Sequence, residues 1–265
     1  MGKEVIFFDI DGTLIDCDEG IIRPTKKTKE ALIALKNKGI KIVLASGRPK
    51  SFINEEILKL SFDAIIASNG AYVEVDGKVI VNELISKIVV EEFISMCREN
   101  KMSFILEGHD VSIYEESRKE EVIKFCNDFH ISESKLIPME NYDGEIIANK
   151  LVLFMNEEDK YKIFNDKFSE NFKFMMHPNN VSWDMYTNAY SKASGIICAI
   201  EKLEVSIKDS YAFGDGINDI EMFQRVSKGI SMGNASSELD KYAFYKTLSV
   251  KEEGIYYALK KLNMI

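Results

Sequence analysis

The sequence predicts an α/β fold: a Rossmann-like, doubly wound parallel sheet made from both ends of the chain and interrupted by an inserted α+β domain. Three observations carry this reading. Short continuous apolar runs such as KEVIFF, IKIVLAS, DAIIAS and DSYAFGD each stop at a polar residue, the pattern of strands covered on both faces. Helical patterns separate the successive runs. From about residue 86 to 186 the texture changes to amphipathic strands and helices, after which the parallel βα rhythm resumes.

In chain order, residues 3–8 read as the first strand, ending at Asp9. TKKTKEALIALKNKG sets Ala31, Leu32 and Leu35 at helical spacing and ends on Gly39, a glycine stop. IKIVLAS completes a βαβ unit. A helix is expected near 50–60, a strand at 63–68, and a hairpin in which YVEV and KVIV flank Asp76-Gly77. The inserted module is read as helix 87–100, strands 102–107 and 111–114, helix 117–129, strand 150–155, helix 157–169, and strands 172–176 and 181–186. Helix 192–203, with Ile196, Ile197, Ile200 and Leu203 on one side, reopens the parallel domain. It is followed by a strand in DSYAFGD, a helix in IEMFQRV and a strand in KGISMG. The domain boundaries expected are 1–84 with 187–265 for the first domain and 85–186 for the insert, with hinges near 82–86 and 186–190.

Composition narrows the function. The chain has 265 residues, 46% of them hydrophobic, so it can bury a large core. Thirty-four basic against 43 acidic residues give a formal charge of -9, and no Lys/Arg-rich block is present, which argues against a nucleic-acid partner. The opening MGKEVIFFDIDGT reaches carboxylates after four apolar residues, and no later apolar run approaches the roughly 20 residues of a spanning helix. A cytoplasmic protein with no membrane partner, either a monomer or a weak homo-oligomer, is therefore expected. Four scattered cysteines and three scattered histidines form no zinc pattern, leaving oxygen ligands and hard cations for any metal.

The chemistry-bearing residues collect at strand ends. Asp9 and Asp11 follow the first strand, and Gly12-Thr13 permits a tight turn with exposed backbone N–H groups. Two carboxylates at this spacing suit division of labour in phosphoryl transfer, one attacking phosphorus and the other moving the proton. Ser46 ends the second strand, and Gly47 and Arg48 follow it. Asp215, Asn218 and Asp219 sit in GDGIND after a later strand, while Lys192 opens the helix that precedes that strand. Each motif alone is also compatible with an ordinary turn, a cap or a surface residue. Together they converge on one sheet edge.

These residues resemble the haloacid dehalogenase-like hydrolases. FFDIDGTL at 7–14 is similar to their first motif, LASGR to the second, Lys192 to the third and FGDGIND at 213–219 to the fourth. The insert of about a hundred residues resembles the C2 cap of the Cof-type branch, as do SNGA at 68–71 and ISMGNA at 230–235. Two departures are Ala243-Phe244, where Ala-Asp is common, and Trp183-Asp184-Met185 at the exit from the insert. The resemblance implies Asp9 as nucleophile and Asp11 as general acid/base. It implies Mg²⁺ held by the Asp9 carboxylate, the Asp11 backbone carbonyl and Asp215, and Asp219 orienting Lys192 or completing the metal shell. Gly12, Ser46, Gly47, Arg48, Lys192 and Asn218 are expected around the phosphoryl group.

The expected function is thus an Mg²⁺-dependent phosphatase of small phosphorylated metabolites, either sugar phosphates or a cofactor such as pyridoxal phosphate or a flavin nucleotide. Within that resemblance, a carboxylate at position 11 implies turnover by water. A phosphomutase and a non-catalytic phosphometabolite-binding protein are the alternatives. Candidates for substrate selection in the insert are Glu107, His109, Asp110 and His177.

Overall fold

The computed structural model describes residues 4–155 and 158–265. The starts of two expected elements, the strand at 3–8 and the helix at 157–169, lie outside the described residues. The chain divides into two compact units. One comprises the chain up to Gly47 with Asn54–Val81 and Ser191–Ile265; the other comprises Arg48–Ile53 and Asn82–Tyr190.

The first unit is built on β1 (Val5–Phe8), β2 (Lys41–Ala45), β3 (Ala64–Ala67), β4 (Tyr72–Val75), β5 (Lys78–Asn82), β12 (Ser210–Gly214), β13 (Lys228–Ser231) and β14 (Tyr245–Lys246). Their order in the sheet is β14-β13-β12-β1-β2-β3-β4-β5. β1 runs parallel to both β2 and β12, with Phe8 opposite Leu44 on one side and Phe213 on the other. The chain moves outward from β1 in one direction through β2 and β3, then returns to fill the other side from β12. The gap between the carboxyl ends of β1 and β12 is therefore a topological switch point, where open α/β sheets bind ligands.

All four residues of β1 are fully buried, as a central strand covered on both faces requires. Val5, Phe7, Val43, Ala45, Ile66, Ile196, Ala212 and Met222 form the core on one face. Phe8 and Phe213 stack side by side, with ring centroids 5.3 Å apart. Helix α1 (Lys26–Asn37) starts where the Thr25 hydroxyl accepts the Thr28 N–H at 3.1 Å, and it buries Ala31, Leu32 and Leu35. Helix α6 (Lys192–Leu203) starts at Ser191, whose side chain accepts the Ser194 N–H while the Ser194 hydroxyl receives the Ser191 N–H. Asp76 and Gly77 both take positive φ, 46° and 74°, in the β4–β5 hairpin.

The second unit has the strand order β10-β11-β9-β6-β7-β8. Its strands are β6 (Phe104–Glu107), β7 (Ser112–Tyr114), β8 (Leu136–Pro138), β9 (Lys150–Phe154), β10 (Phe172–Met176) and β11 (Ser182–Thr187). Residue alternation separates two faces. Phe104, Leu106, Leu151, Leu153 and Met185 pack with Phe93 of α3 (Lys87–Glu99) and Phe164 of α5 (Glu158–Phe168). Ile105, Tyr114 and Val152 pack with Val122 and Phe125 of α4 (Lys119–Asp128).

The segment expected to form one helix at 50–60 instead divides. A single 3₁₀ turn spans Lys50–Phe52, and a short α2 (Glu55–Leu58) follows Asn54, whose side chain accepts the Glu56 N–H. Phe52 is buried with Ile105 and Phe125, and the Ser51 hydroxyl donates to the Gly108 carbonyl at 2.7 Å. This anchorage draws 48–53 into the second unit. Helix α7 (Ile220–Arg225) lies where IEMFQRV predicts one. Beyond the sequence reading are β8, β14, α8 (Ser237–Asp240) and α9 (Gly254–Lys261); the first three span two to four residues, too few to show a period. Among the described residues no helix is long and apolar enough to cross a membrane.

Candidate active site

Asp9 extends the β1 ladder by one step, its N–H donating to the Phe213 carbonyl at 3.1 Å, so the backbone turns only after its side chain has been placed at the switch point. The turn follows at once. Gly12 has φ +73°, and a Cβ there would lie 2.0 Å from Asp215 Oδ2. Only glycine serves this position, both for its backbone angle and for the Asp215 carboxylate that occupies the space. The Thr13 hydroxyl donates to Asp215 Oδ1 at 3.2 Å, and Asn234 Nδ2 donates to the Gly12 carbonyl at 2.8 Å.

β12 delivers the opposite wall. Asp219 is fully buried, and its Oδ2 accepts the N–H groups of Asp215 (3.0 Å) and Gly216 (3.1 Å), which folds GDGIND into a compact turn. A Cβ on Gly214 would meet that same oxygen at 2.6 Å. Its Oδ1 accepts from Lys192 Nζ at 2.6 Å, and Lys192 Nζ also donates to Asp9 Oδ1 at 2.6 Å. Lys192, 2% exposed, is thus a shared cation between two carboxylates delivered by different strands.

Carboxylate oxygens of Asp9, Asp215 and Asp219 all lie within 4.8 Å of one another. Three carboxylates face one ammonium. Burial pushes the Asp9 carboxyl up to about 7, with Lys192 opposing and Asp219 and Asp11 adding to the rise. Burial, then Asp9 and Asp219, push Asp215 up to about 9. Burial works against the Lys192 charge, but Asp219 and Asp9 outweigh it and hold the ammonium well above its ordinary value. An all-oxygen donor set carrying surplus negative charge fits a hard divalent cation, which would return Asp9 and Asp215 to their ionised forms.

The remaining expected residues are distributed as follows. Asp11 is exposed, and its carboxylate lies outside the three-carboxylate cluster. Asn218 folds back over Gly216, where a Cβ would stand 2.3 Å from Asn218 Oδ1. Ser46 is buried at the end of β2, its N–H donating to the Ile66 carbonyl at 2.8 Å. Gly47 follows it and packs against the Asn69 side chain. Arg48 is the next residue. It belongs to the second unit, where its guanidinium donates to the carbonyls of Phe129 (3.0 Å) and Phe52 (3.4 Å). These contacts tie Arg48 to the turn that follows it and to Phe129 at the end of α4.

Sequence reasoning assigned no role to Thr13, Asn69 or Asn234. Thr13 was visible within DGT, and the two asparagines within SNGA and GNA, but only the folded contacts separate them from ordinary turn residues. In the second unit Glu107 and His177 enter a buried ionic row, while Asp110 is exposed with His109 Nε2 at 3.3 Å.

Residues 6–259 match the family model described as haloacid dehalogenase-like hydrolase. The chain is 30% identical over 265 residues to "Putative phosphatase YkrA" of Bacillus subtilis, with all of both chains covered. It is also similar to the crystal structure of a hypothetical protein from Geobacillus kaustophilus, at 31% identity and TM-score 0.87, again covering both chains fully. A third similarity is to BT4131, whose structure is described as that of a subclass IIB sugar phosphatase. There the identity is 27% and the TM-score 0.82, over 99% of this chain and 100% of that one.

Proposed function

The chain belongs to the haloacid dehalogenase-like hydrolase family, and we propose that within it this protein is an Mg²⁺-dependent phosphatase of small phosphorylated metabolites. One observation supports the reading above the others: the Asp9, Lys192, Asp219 and Asp215 constellation at the switch point of the sheet. The similarity to proteins named as phosphatases agrees with it. Sugar phosphates come first among the substrates, in line with BT4131, followed by pyridoxal phosphate or a flavin nucleotide. The inserted domain, read from sequence as 85–186, is assigned the selection of substrate, and the cytoplasm is the proposed location.

In this reading Asp9, Asp215 and the Asp11 backbone carbonyl hold the cation. When bound, Mg²⁺ offsets the repulsion between a phosphate dianion and the carboxylates and stabilises charge on the transferring group. Asp9 attacks phosphorus through a carboxylate oxygen. The ester bond to the leaving oxygen breaks, that oxygen takes a proton from Asp11, and an aspartyl-phosphate remains. Asp11, now ionised, removes a proton from the water that attacks this intermediate, releasing inorganic phosphate and regenerating the Asp9 carboxylate. Lys192 holds Asp9 in position and supplies positive charge for the equatorial oxygens, while Asp219 keeps Lys192 protonated and directed. Ser46 and the Gly47 N–H receive the phosphoryl oxygens.

The test is phosphate release from p-nitrophenyl phosphate and from a panel of phosphorylated metabolites, with Mg²⁺ and with excess chelator, using Asp9→Asn as the blank. Release that requires Mg²⁺ and disappears in Asp9→Asn is expected. Release from no member of the panel, or release that survives in Asp9→Asn, contradicts the assignment.

A further inference from the structure

The turn joining β3 to β4, Ser68-Asn69-Gly70, carries an unusual amount of conformational cost for residues that the proposed chemistry does not use. Three successive residues have positive φ: Ser68 at 48°, Asn69 at 53° and Gly70 at 91°. Glycine is at ease in that region, asparagine tolerates it and serine seldom adopts it. Both Ser68 (2% exposed) and Asn69 (4%) are buried, and Ser68 Oγ and Asn69 Nδ2 have no hydrogen-bond partner among the described residues. Strain and buried, unpartnered polar atoms persist together where the surroundings over-determine a conformation, commonly beside a functional site.

The surroundings here are two elements that handle phosphate in the proposed reaction. On one side the Asn69 N–H donates to the Ser46 carbonyl at 3.2 Å. The Asn69 side-chain amide presses on Gly47, its Oδ1 3.2 Å and its Nδ2 3.6 Å from where a Gly47 Cβ would stand. On the other side a Cβ on Gly70 would meet the Ser191 carbonyl oxygen at 2.2 Å, and Ser191 is the cap that immediately precedes Lys192. Gly195, one turn into α6, faces the Gly70 Cα at 3.4 Å from its own Cβ position. One strained turn is thus wedged between the Ser46–Gly47 backbone and the start of the lysine-bearing helix.

We propose that Asn69 is a positioning residue for phosphate binding, its side chain bracing the Ser46–Gly47 turn against the frame that also seats Lys192. This rests on the phosphatase reading. A left-handed backbone at 69 is within reach of glycine, so Asn69→Gly keeps the turn and removes only the brace. A Ser46–Gly47 turn that loses its brace presents its donors less well to phosphate in both the bound ester and the bound product. The chemical step, which depends on Asp9 and Asp11, changes little.

The experiment measures kcat, KM and inhibition by inorganic phosphate with Mg²⁺ for wild type and Asn69→Gly, together with phosphate binding by calorimetry and thermal melting. KM and the phosphate inhibition constant are expected to rise together by about tenfold, with kcat within about threefold and an unchanged melting temperature. Wild-type values of both constants in a folded Asn69→Gly overturn the inference. If Asn69→Gly does not fold, Asn69→Asp takes its place. It keeps the shape and the left-handed tolerance but sets a carboxylate against Gly47; it is expected to raise the same two constants, and unchanged constants again overturn the inference. A wild-type protein that neither hydrolyses phosphoesters nor binds phosphate overturns the phosphatase reading, and this inference with it. Wild-type hydrolysis with no difference in the variant overturns this inference alone.

Discussion

The two units each bury a lysine between carboxylates, and the two clusters have different charge balances. In the first unit Lys192 joins Asp9 and Asp219, and Asp215 adds a third carboxylate with no cation of its own among the described residues. In the second, Lys150 Nζ lies 3.0 Å from Glu107 and 2.8 Å from Asp184. Here the extra member is His177, whose Nε2 is 3.0 Å from Asp184 Oδ1 and whose Nδ1 is 2.8 Å from Ser182 Oγ, against the rings of Phe125 and Phe129. Burial raises the Asp184 carboxyl, but Lys150 and His177 more than offset this and hold it down to about 2. Burial, with Asp184, pushes Glu107 up to about 7 despite Lys150. The first cluster thus carries a third carboxylate where the second carries a histidine ring. Under the proposed function, the third carboxylate is what separates a reactive buried ion pair from a structural one.

Substituting the two lysines gives the largest separation between these roles. Lys192→Met is expected to lower kcat/KM by about three orders of magnitude, on the scale of losing a preorganised transition-state contact. Lys150→Met is expected to lower unfolding free energy by about 3–5 kcal/mol, the scale for stranding buried charges. A folded Lys150→Met that has lost activity like Lys192→Met would dissolve the distinction; denaturant unfolding beside steady-state kinetics decides it.

Asp215→Asn comes next. The Mg²⁺ concentration for half-maximal activity should rise by more than about tenfold. Its removal of repulsion should also raise the melting temperature measured in chelator. A lower melting temperature in chelator would show that Asp215 is a structural acceptor for Thr13 before it is a metal ligand.

The smallest effect concerns pH and the second cluster. Glu107 has a folded-state value raised from 4.5 to about 7, so its contribution to stability is present below pH 4.5 and is lost as pH rises through about 7. Asp184 is lowered from 3.8 to about 2, so its contribution is present above pH 3.8 and is lost as pH falls through about 2. Glu107→Gln is expected to flatten the decline in melting temperature between pH 4.5 and 7 by a few degrees while leaving the acid limb in place. An unchanged slope would show that Lys150 keeps Glu107 ionised throughout.

Much of the candidate site was legible because local signals coincide with strand ends. Asp9 stops an apolar run, Asp215 stops another, and a glycine comes within three residues of each, so a parallel sheet brings both to one edge. Lys192 was legible only through its resemblance to a family motif, since a lysine at a helix start carries no local signal of burial. The backbone partners of Arg48, the carbonyls of Phe52 and Phe129, were not legible, because a contact across 81 positions leaves no local signal. Asn69 lies within SNGA, which carries no local sign that the Ser46–Gly47 backbone and the cap of α6 meet at that turn.

The sequence by itself determined the alternation of buried strands and amphipathic helices and which carboxylates end which strands, because these follow from periodicity and turn chemistry over a few residues. The tertiary structure alone decided that Lys192 is shared by Asp9, 183 positions away, and by Asp219, and that Lys150 is closed between Glu107 and Asp184. Distances of that kind are set by strand order and burial, and the charge each carboxylate carries depends on the low-dielectric surroundings that only the assembled core supplies.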